Sequence, residues 1–417
     1  MRSLKNMAAA LICLAILLFT GPSCAAASPT ETSLWVDCSD IPTDAGRLAP
    51  LAVKMGAHRL FVPLLIQGRT TLPGLSPLFP PFAHCAAAPS AVAELVKSAH
   101  KQHVQVYGYV DCLHWDGSDD PAGPLHRHPD LVELSTAGSC GEPRGDYAAP
   151  FDRRVEEGLL GLLTQASRRL PELDGILLQC RMPVGSLLGY SDSSRLAYIR
   201  DVGMDPADLI LGSSPEAIED SMPWVTWRIQ HLSSLVTRLA TACHADWPRS
   251  QVAVVAHAAW YRLRPGLKNR SLEDWVSWAK TGLINEVLFD GRWEQHDEAP
   301  TYPEALWRLS RVPHPPGGSF VLDFRDGADR VDPLDELAQE EGAPIRRLVM
   351  RVKQVADLEL ANRFASDILP QIEPALLGTV AAAEPASQEL DSLPPAPGVV
   401  MKATGAPAPA TSRRTGP

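Results

Sequence analysis

The chain has no long basic run and no basic stripe interleaved with aromatic residues. Nucleic acid recognition needs such a cationic footprint to neutralise phosphates. The formal net charge of −11 and pI near 5.6 point the other way, so no nucleic-acid partner is expected. No CxxC pair, Cys/His zinc spacing or HExxH occurs, so no metal site is expected. No GxGxxG follows the first apolar strand, and no P-loop occurs anywhere, which counts against a doubly wound open sheet. The absence of GxSxG leaves an esterase elbow without support. Beyond the first twenty residues, no apolar run approaches the roughly 20 residues of a membrane-spanning helix. What remains is a 417-residue chain of ordinary globular composition, 45% hydrophobic and 21% charged.

The N-terminus is a leader. "MRSLKN" supplies two cations, "AAALICLAILLF" a short apolar core and "CAAASP" a small-residue cleavage region. This order is the three-part pattern of a secretory signal, with an apolar stretch too short to span a bilayer. Cleavage after Ala27 is expected, so that residues 1–27 are a signal peptide and the mature protein is periplasmic or extracellular. Lipidation at Cys24 is the alternative, although Gly21-Pro22-Ser23 is a poor preceding set. Two of the eight cysteines, Cys13 and Cys24, lie in the leader; Cys38, Cys85, Cys112, Cys140, Cys180 and Cys243 remain. An exported chain permits disulfides, and Cys112 with Cys140 is the first pairing to expect; buried free thiols are the competing reading. Residues 380–417 are rich in Ala, Pro, Ser and Thr. That composition cannot bury a core, and a disordered tail is expected.

Between the leader and the tail, residues 28–379, short β-branched apolar runs alternate with helical patterns. The runs are "SLWVDC", "HRLFVPLLI", "VQVYGYVDC", "DGILLQC", "QVAVVAHA", "NEVLFDG", "SFVLDFRDG" and "RRLVMRV". Continuous apolar strands with helical crossovers indicate a parallel sheet buried on both faces. Eight such units predict one closed (β/α)8 TIM barrel; a doubly wound open sheet is the competing arrangement. In a barrel the site lies at the C-terminal ends of the strands. The long loops after the second, third and fourth strands crowd over that face, and their length argues for function. Trp115, His114, Tyr190 and Trp293 are candidate sugar platforms there, or packing groups for the loops themselves.

The strand ends carry Asp37, Gln67, Asp111, Gln179, Arg181, His257, Asp290, Asp323 and Arg325. Several carboxylates at one mouth suit a glycosidic bond, where one acid protonates the leaving oxygen and another attacks or activates water. Asp290, Asp323 and Asp111 are the candidate catalytic acids. Asp37, Gln179, Arg181, His257, Trp115, Trp293 and Arg325 are candidate substrate contacts. A strand-end Asp also serves often as a helix cap or an Arg partner. His257 in "VVAHAAW" is a base or metal ligand on one reading and a core histidine on the other. Asn269 in "NRS" is a formal glycosylation acceptor.

"LWVDC", "SAHKQHVQVYGYVD", "DYAAPFDRRVEEGLLGLL", "LDGILLQCRMP", "VAVVAHA" and "LEDWVSWAKTGLINEVLFDGRW", in this order, resemble the glycosyl-hydrolase-like 10 family of bacterial exported barrels. The resemblance runs from about Leu34 to Trp293 and implies a carbohydrate substrate, glycosidic hydrolysis, cell-wall glycan for some members, and no cofactor. The family's fourth strand reads "DGIHLD" followed by an aromatic, Arg and Pro. Asp174, Gly175, Ile176 and Leu178 match it, as do Arg181 and Pro183 with one residue missing between. The family's His falls on Leu177 and its second Asp on Gln179, and alternation puts 177, 179 and 181 on one face. Glutamine cannot titrate, although it can hydrogen-bond a sugar through its carbonyl and its amide. The family's sixth-strand segment ends in an Asp-Glu-Val run, whereas here Asn285 precedes Glu286, which weakens another carboxylate position. Two functions follow from these matches and departures: a glycoside hydrolase acting on polysaccharide, or a degenerate barrel that binds glycan or a protein partner.

Overall fold

A computed structural model describes residues 30–37, 41–115, 121–138, 146–182, 188–209, 215–257, 272–290, 305, 309–324, 347–353 and 357–369. The expected leader and tail, Cys140, Asn269, Trp293 and Arg325 lie outside these ranges. Each of the eight apolar runs forms a strand: β1 (Glu31–Val36), β2 (Ala57–Ile66), β4 (Gln105–Asp111), β5 (Gly175–Gln179), β6 (Gln251–Ala256), β7 (Glu286–Asp290), β8 (Gly317–Phe324) and β9 (Arg347–Val352). All eight pair in parallel, in the order β1-β9-β8-β7-β6-β5-β4-β2, and the β1–β2 pairing closes the ring. The result is the closed barrel, not the open sheet. A two-residue strand, β3 (Arg69–Thr70), folds back antiparallel on β2 through Gln67 and Gly68. Both turn residues have positive φ, 53° and 68°, as a tight hairpin requires. A Cβ on Gly68 would lie 2.6 Å from Pro124 Cγ and 3.1 Å from Trp115 Cβ, so only glycine fits.

Strand alternation sorts the side chains into two cores. Trp35, Phe61, Tyr107, Tyr109, Leu177, Ala253, Val255, Leu288, Val321 and Val349 fill the lumen. The bulk comes from β1, β2 and β4, whose rings meet edge to face, Trp35 on Tyr109 at 4.9 Å and Phe61 on Tyr107 at 5.2 Å. The small residues come from β6, which leaves room for those rings. The outward residues pack against helices such as Ile41–Lys54, Ala91–His100, Arg153–Arg169 and Pro215–Asp246.

The N-terminal rim of the barrel is closed by polar groups. Arg59 forks onto both carboxylate oxygens of Glu286, the first residue of β7, and the Ser319 hydroxyl also donates to Glu286. The Arg59 guanidinium lies near the Phe61 and Tyr107 rings, 5.6 and 5.7 Å from their centroids. Asp174, just before β5, accepts from the Val106 N–H at 2.7 Å and faces His100 Nε2 at 2.8 Å. A Cβ on Gly175 would lie 2.3 Å from the Tyr107 ring and 2.6 Å from the Gln251 carbonyl. Asn285 Oδ1 accepts from the Val252 N–H at 2.8 Å, tying β7 to β6. The Asp-Gly of the fourth strand and the Asn-Glu of the sixth therefore belong to the rim away from the expected site. Asn285 standing for Asp removes no carboxylate from the mouth.

Candidate functional site

At the opposite rim, Asp111 ends β4 and Gln179 ends β5, in register with one another. Gln179 Nε2 donates to Asp111 Oδ2 at 3.1 Å, and the Tyr109 hydroxyl donates to the same oxygen at 3.4 Å. The His114 backbone N–H donates to Oδ1 at 3.2 Å, and its ring Nδ1 stands 3.7 Å from Oδ2. Burial pushes the Tyr109 pKa well up, and the Asp111 and Asp37 charges add to it against Arg351 and Arg181. The phenol therefore stays protonated and donates. Because Asp111 only accepts, it fixes which way the Gln179 amide points. The other end of that amide, Oε1, is buried and has no hydrogen-bond partner.

A second cluster completes the mouth. Arg181 Nη1 meets Asp290 Oδ2 at 2.5 Å, and Arg351 Nη1 reaches the same oxygen at 3.3 Å. Asp290 and Arg351 are buried, and Arg351 also lies 4.7 Å over the Trp35 ring. Burial alone would lower the Arg181 pKa, but the Asp290 and Glu273 charges outweigh burial and the repulsion from Arg351, and the net shift is upward. His257 follows β6 with its Nε2 3.4 Å from Arg181 Nη1. Its Nδ1 lies 3.1 Å from Glu273 Oε2, and its backbone N–H donates to the same oxygen at 2.6 Å. Asp37, half-buried after β1, donates its backbone N–H to the Val352 carbonyl at 2.8 Å.

The structure thus gathers Asp37, Asp111, Gln179, Arg181, His257 and Asp290 at one rim. The backbone of Asp323 is on β8 in register with Arg351. Trp115 is corrected: it is fully buried, edge-on to Phe79 at 4.9 Å, and offers no ring face to a sugar. Tyr190 is buried too, against Trp224 in a satellite cluster with Tyr198 and Trp227. Gln67 sits in the exposed β2–β3 turn, outside the cluster. Cys112 is a buried free thiol, and Cys140, its expected partner, lies outside the described residues. Burial pushes its pKa well up, and hydrogen bonding with Cys180 adds to the shift.

Three groups escaped the sequence reading. Arg351 was signalled by a lone charge inside the apolar run "RLVMRV". Glu273 had no such signal, because its neighbour Asp274 is an ordinary helix cap that accepts from the Ser277 N–H. Glu133, buried in the loop after β4, accepts from the Ser191 N–H and the Ser194 hydroxyl and so ties that loop to the one after β5. Burial raises the Glu133 pKa, against the pull of those hydrogen bonds. Among the described residues, no group of three or more His, Cys, Asp and Glu side chains could hold a metal ion. No described helix is long and apolar enough to cross a membrane.

The pattern of the glycosyl hydrolase-like 10 family matches residues 91–313. The chain belongs to that family. The glycosyl hydrolase-like 10 segment spans β4 to β7 and carries Asp111, Gln179, Arg181, His257, Glu273 and Asp290, while Asp37 and Arg351 lie beyond it. Among solved structures, the chain is similar to the PgaB (BpsB) glycoside hydrolase domain from Bordetella bronchiseptica. Identity is 13% and the TM-score 0.58, over 84% of this chain and 99% of that one. It is also similar to a beta-galactosidase from the psychrophilic Marinomonas ef1, at 10% identity and TM-score 0.50, over 82% of this chain and 60% of that one. At these identities the likeness establishes the barrel and nothing finer. No curated protein matches the chain.

Proposed function

We propose that this member of the family is an exported glycoside hydrolase that cleaves a polysaccharide, with bacterial cell-wall glycan the first substrate to test. Its working carboxylate is Asp111. The observation that carries this reading is the Asp111–Gln179 pair, in which an aligned carboxylate sits beside a buried acceptor without a partner. Three donors fix the Asp111 carboxyl in place, which suits a nucleophile or an electrostatic stabiliser of an oxocarbenium-like transition state. Gln179 Oε1 is a buried acceptor that a sugar hydroxyl would satisfy. Asp290 has a different role from the acid expected of it: two guanidiniums hold it as an anion with no proton to give, and it fixes Arg181 for substrate. Export rests on the N-terminal leader, and the polysaccharide class on the family and the crowded mouth.

The second reading, glycan binding without hydrolysis, is favoured by Gln179 standing where the family has an acid. Incubating the purified chain with denuded cell-wall glycan strands and a polysaccharide panel separates the two. The hydrolase reading expects release of reducing ends, falling by at least about 100-fold in Asp111→Asn. Glycan binding without release, in the parent as in the variant, supports the second reading.

A further inference from the structure

We infer that the Glu273–His257 dyad is the proton-transfer element of this mouth, with His257 the catalytic group and Glu273 its positioning residue. The inference rests on the hydrolase reading above and supplies what that reading lacks, a titrating partner for Asp111. Glutamine at 179 cannot give a proton, Asp290 is held as an anion by Arg181 and Arg351, and Asp111 is an acceptor for three donors. His257 can do what these three cannot.

The geometry is that of an oriented imidazole. Glu273 is fully buried, and its Oε2 takes both the backbone N–H and Nδ1 of His257. A carboxylate on Nδ1 fixes that nitrogen as the N–H and leaves Nε2 as the titrating atom. Nε2 points to the mouth, 3.4 Å from Arg181 Nη1. With Nδ1 carrying the N–H, Nε2 is the acceptor in the contact with Arg181, which can only donate. Among the described residues, Glu273 and Arg181 meet the ring directly, and Asp290 stands behind Arg181 on the same Nη1. The His257 side chain is 17% exposed, enough for a proton to reach it from solvent or from a bound glycan.

The chemistry balances as a double displacement. His257 takes a proton on Nε2 and releases its contact with Arg181. An Asp111 oxygen bonds to the anomeric carbon as the glycosidic C–O bond breaks, and the leaving oxygen takes the Nε2 proton. Water then attacks the same carbon, gives a proton back to Nε2, and the bond to Asp111 breaks. The net change is one glycosidic bond and one water converted to two hydroxyl ends. Glu273 holds the ring by Nδ1 throughout.

The test is reducing-end release from denuded cell-wall glycan strands by the full chain, across pH, for the parent, His257→Ala, His257→Gln and Glu273→Gln. We expect release by His257→Ala to fall about 100- to 10,000-fold and to recover in part with added imidazole, which should not rescue Asp111→Asn. Glu273→Gln should lose activity and move the alkaline-side limb of the pH profile to lower pH, with its unfolding midpoint near that of the parent. If His257→Ala does not fold, His257→Gln, which keeps a donor for Glu273, replaces it. An active parent whose folded variants keep its rate and pH profile overturns the dyad and leaves the hydrolase reading intact. A parent that releases no ends from any glycan overturns the hydrolase reading and the dyad with it.

Discussion

The two rims of this barrel are built from the same materials. Each buries a carboxylate on β7 against arginine: Glu286 with Arg59 at the start of the strand, and Asp290 with Arg181 and Arg351 at its end. At the N-terminal rim every partner is protein. Glu286 takes the fork of Arg59 and the hydroxyl of Ser319, while the Tyr107 hydroxyl meets Gln251 Oε1 at 2.8 Å. At the C-terminal rim a buried amide oxygen is left over beside a carboxylate, and an imidazole nitrogen faces outward onto a guanidinium. A closed polar network rigidifies, whereas an incomplete one is costly unless a ligand completes it. On the function we propose, the difference separates a structural rim from a binding rim, although both look alike as charges on apolar strands.

Substitutions at the two rims should therefore separate stability from activity. The largest expected effect is Glu286→Ala, which strands a buried guanidinium and should cost about 3–5 kcal/mol. A urea titration would show it as a lower midpoint, while the fraction that stays folded keeps its glycan affinity. Asp290→Asn comes next, at about 1.5–3 kcal/mol, since two charged hydrogen bonds weaken but an acceptor remains. Its glycan release should drop without any change in the shape of the pH profile. A lost titration limb would return Asp290 to the role of acid. Gln179→Leu should be the smallest in stability, within about 1 kcal/mol of the parent, because it removes an unsatisfied acceptor together with a donor. Glycan affinity, by calorimetry, should nonetheless weaken about tenfold, equivalent to about 1.4 kcal/mol. A matching loss of stability and affinity in Gln179→Leu would erase the contrast between the rims.

Much of the fold was legible because parallel strands buried on both faces read as unbroken apolar runs, and all eight runs are strands. Strand-end position was enough to bring Asp111, Gln179, Arg181, His257 and Asp290 to one rim. Which end of a strand a motif occupies was less legible. Asp174, Gly175 and Asn285 are the most recognisable letters of their segments, yet they serve hydrogen bonds and close packing at the far rim. Trp115 reads as a loop aromatic, but its loop folds back through a bridge between His114 and Tyr147 and presses the ring onto Phe79 beneath the β2–β3 hairpin. Glu273 and Asp274 are adjacent acids before one helix, and only tertiary structure sends the first to His257 and the second to the helix cap.

The central claim, that the incomplete rim is completed by a sugar, is tested most directly by a crystal structure of Asp111→Asn soaked with an oligosaccharide of the glycan it binds. The account predicts a sugar hydroxyl within about 2.5–3.0 Å of Gln179 Oε1, with the ring lying between residue 111 and His257. A sugar seated elsewhere, or one in the mouth that leaves Gln179 Oε1 without a partner, would contradict it.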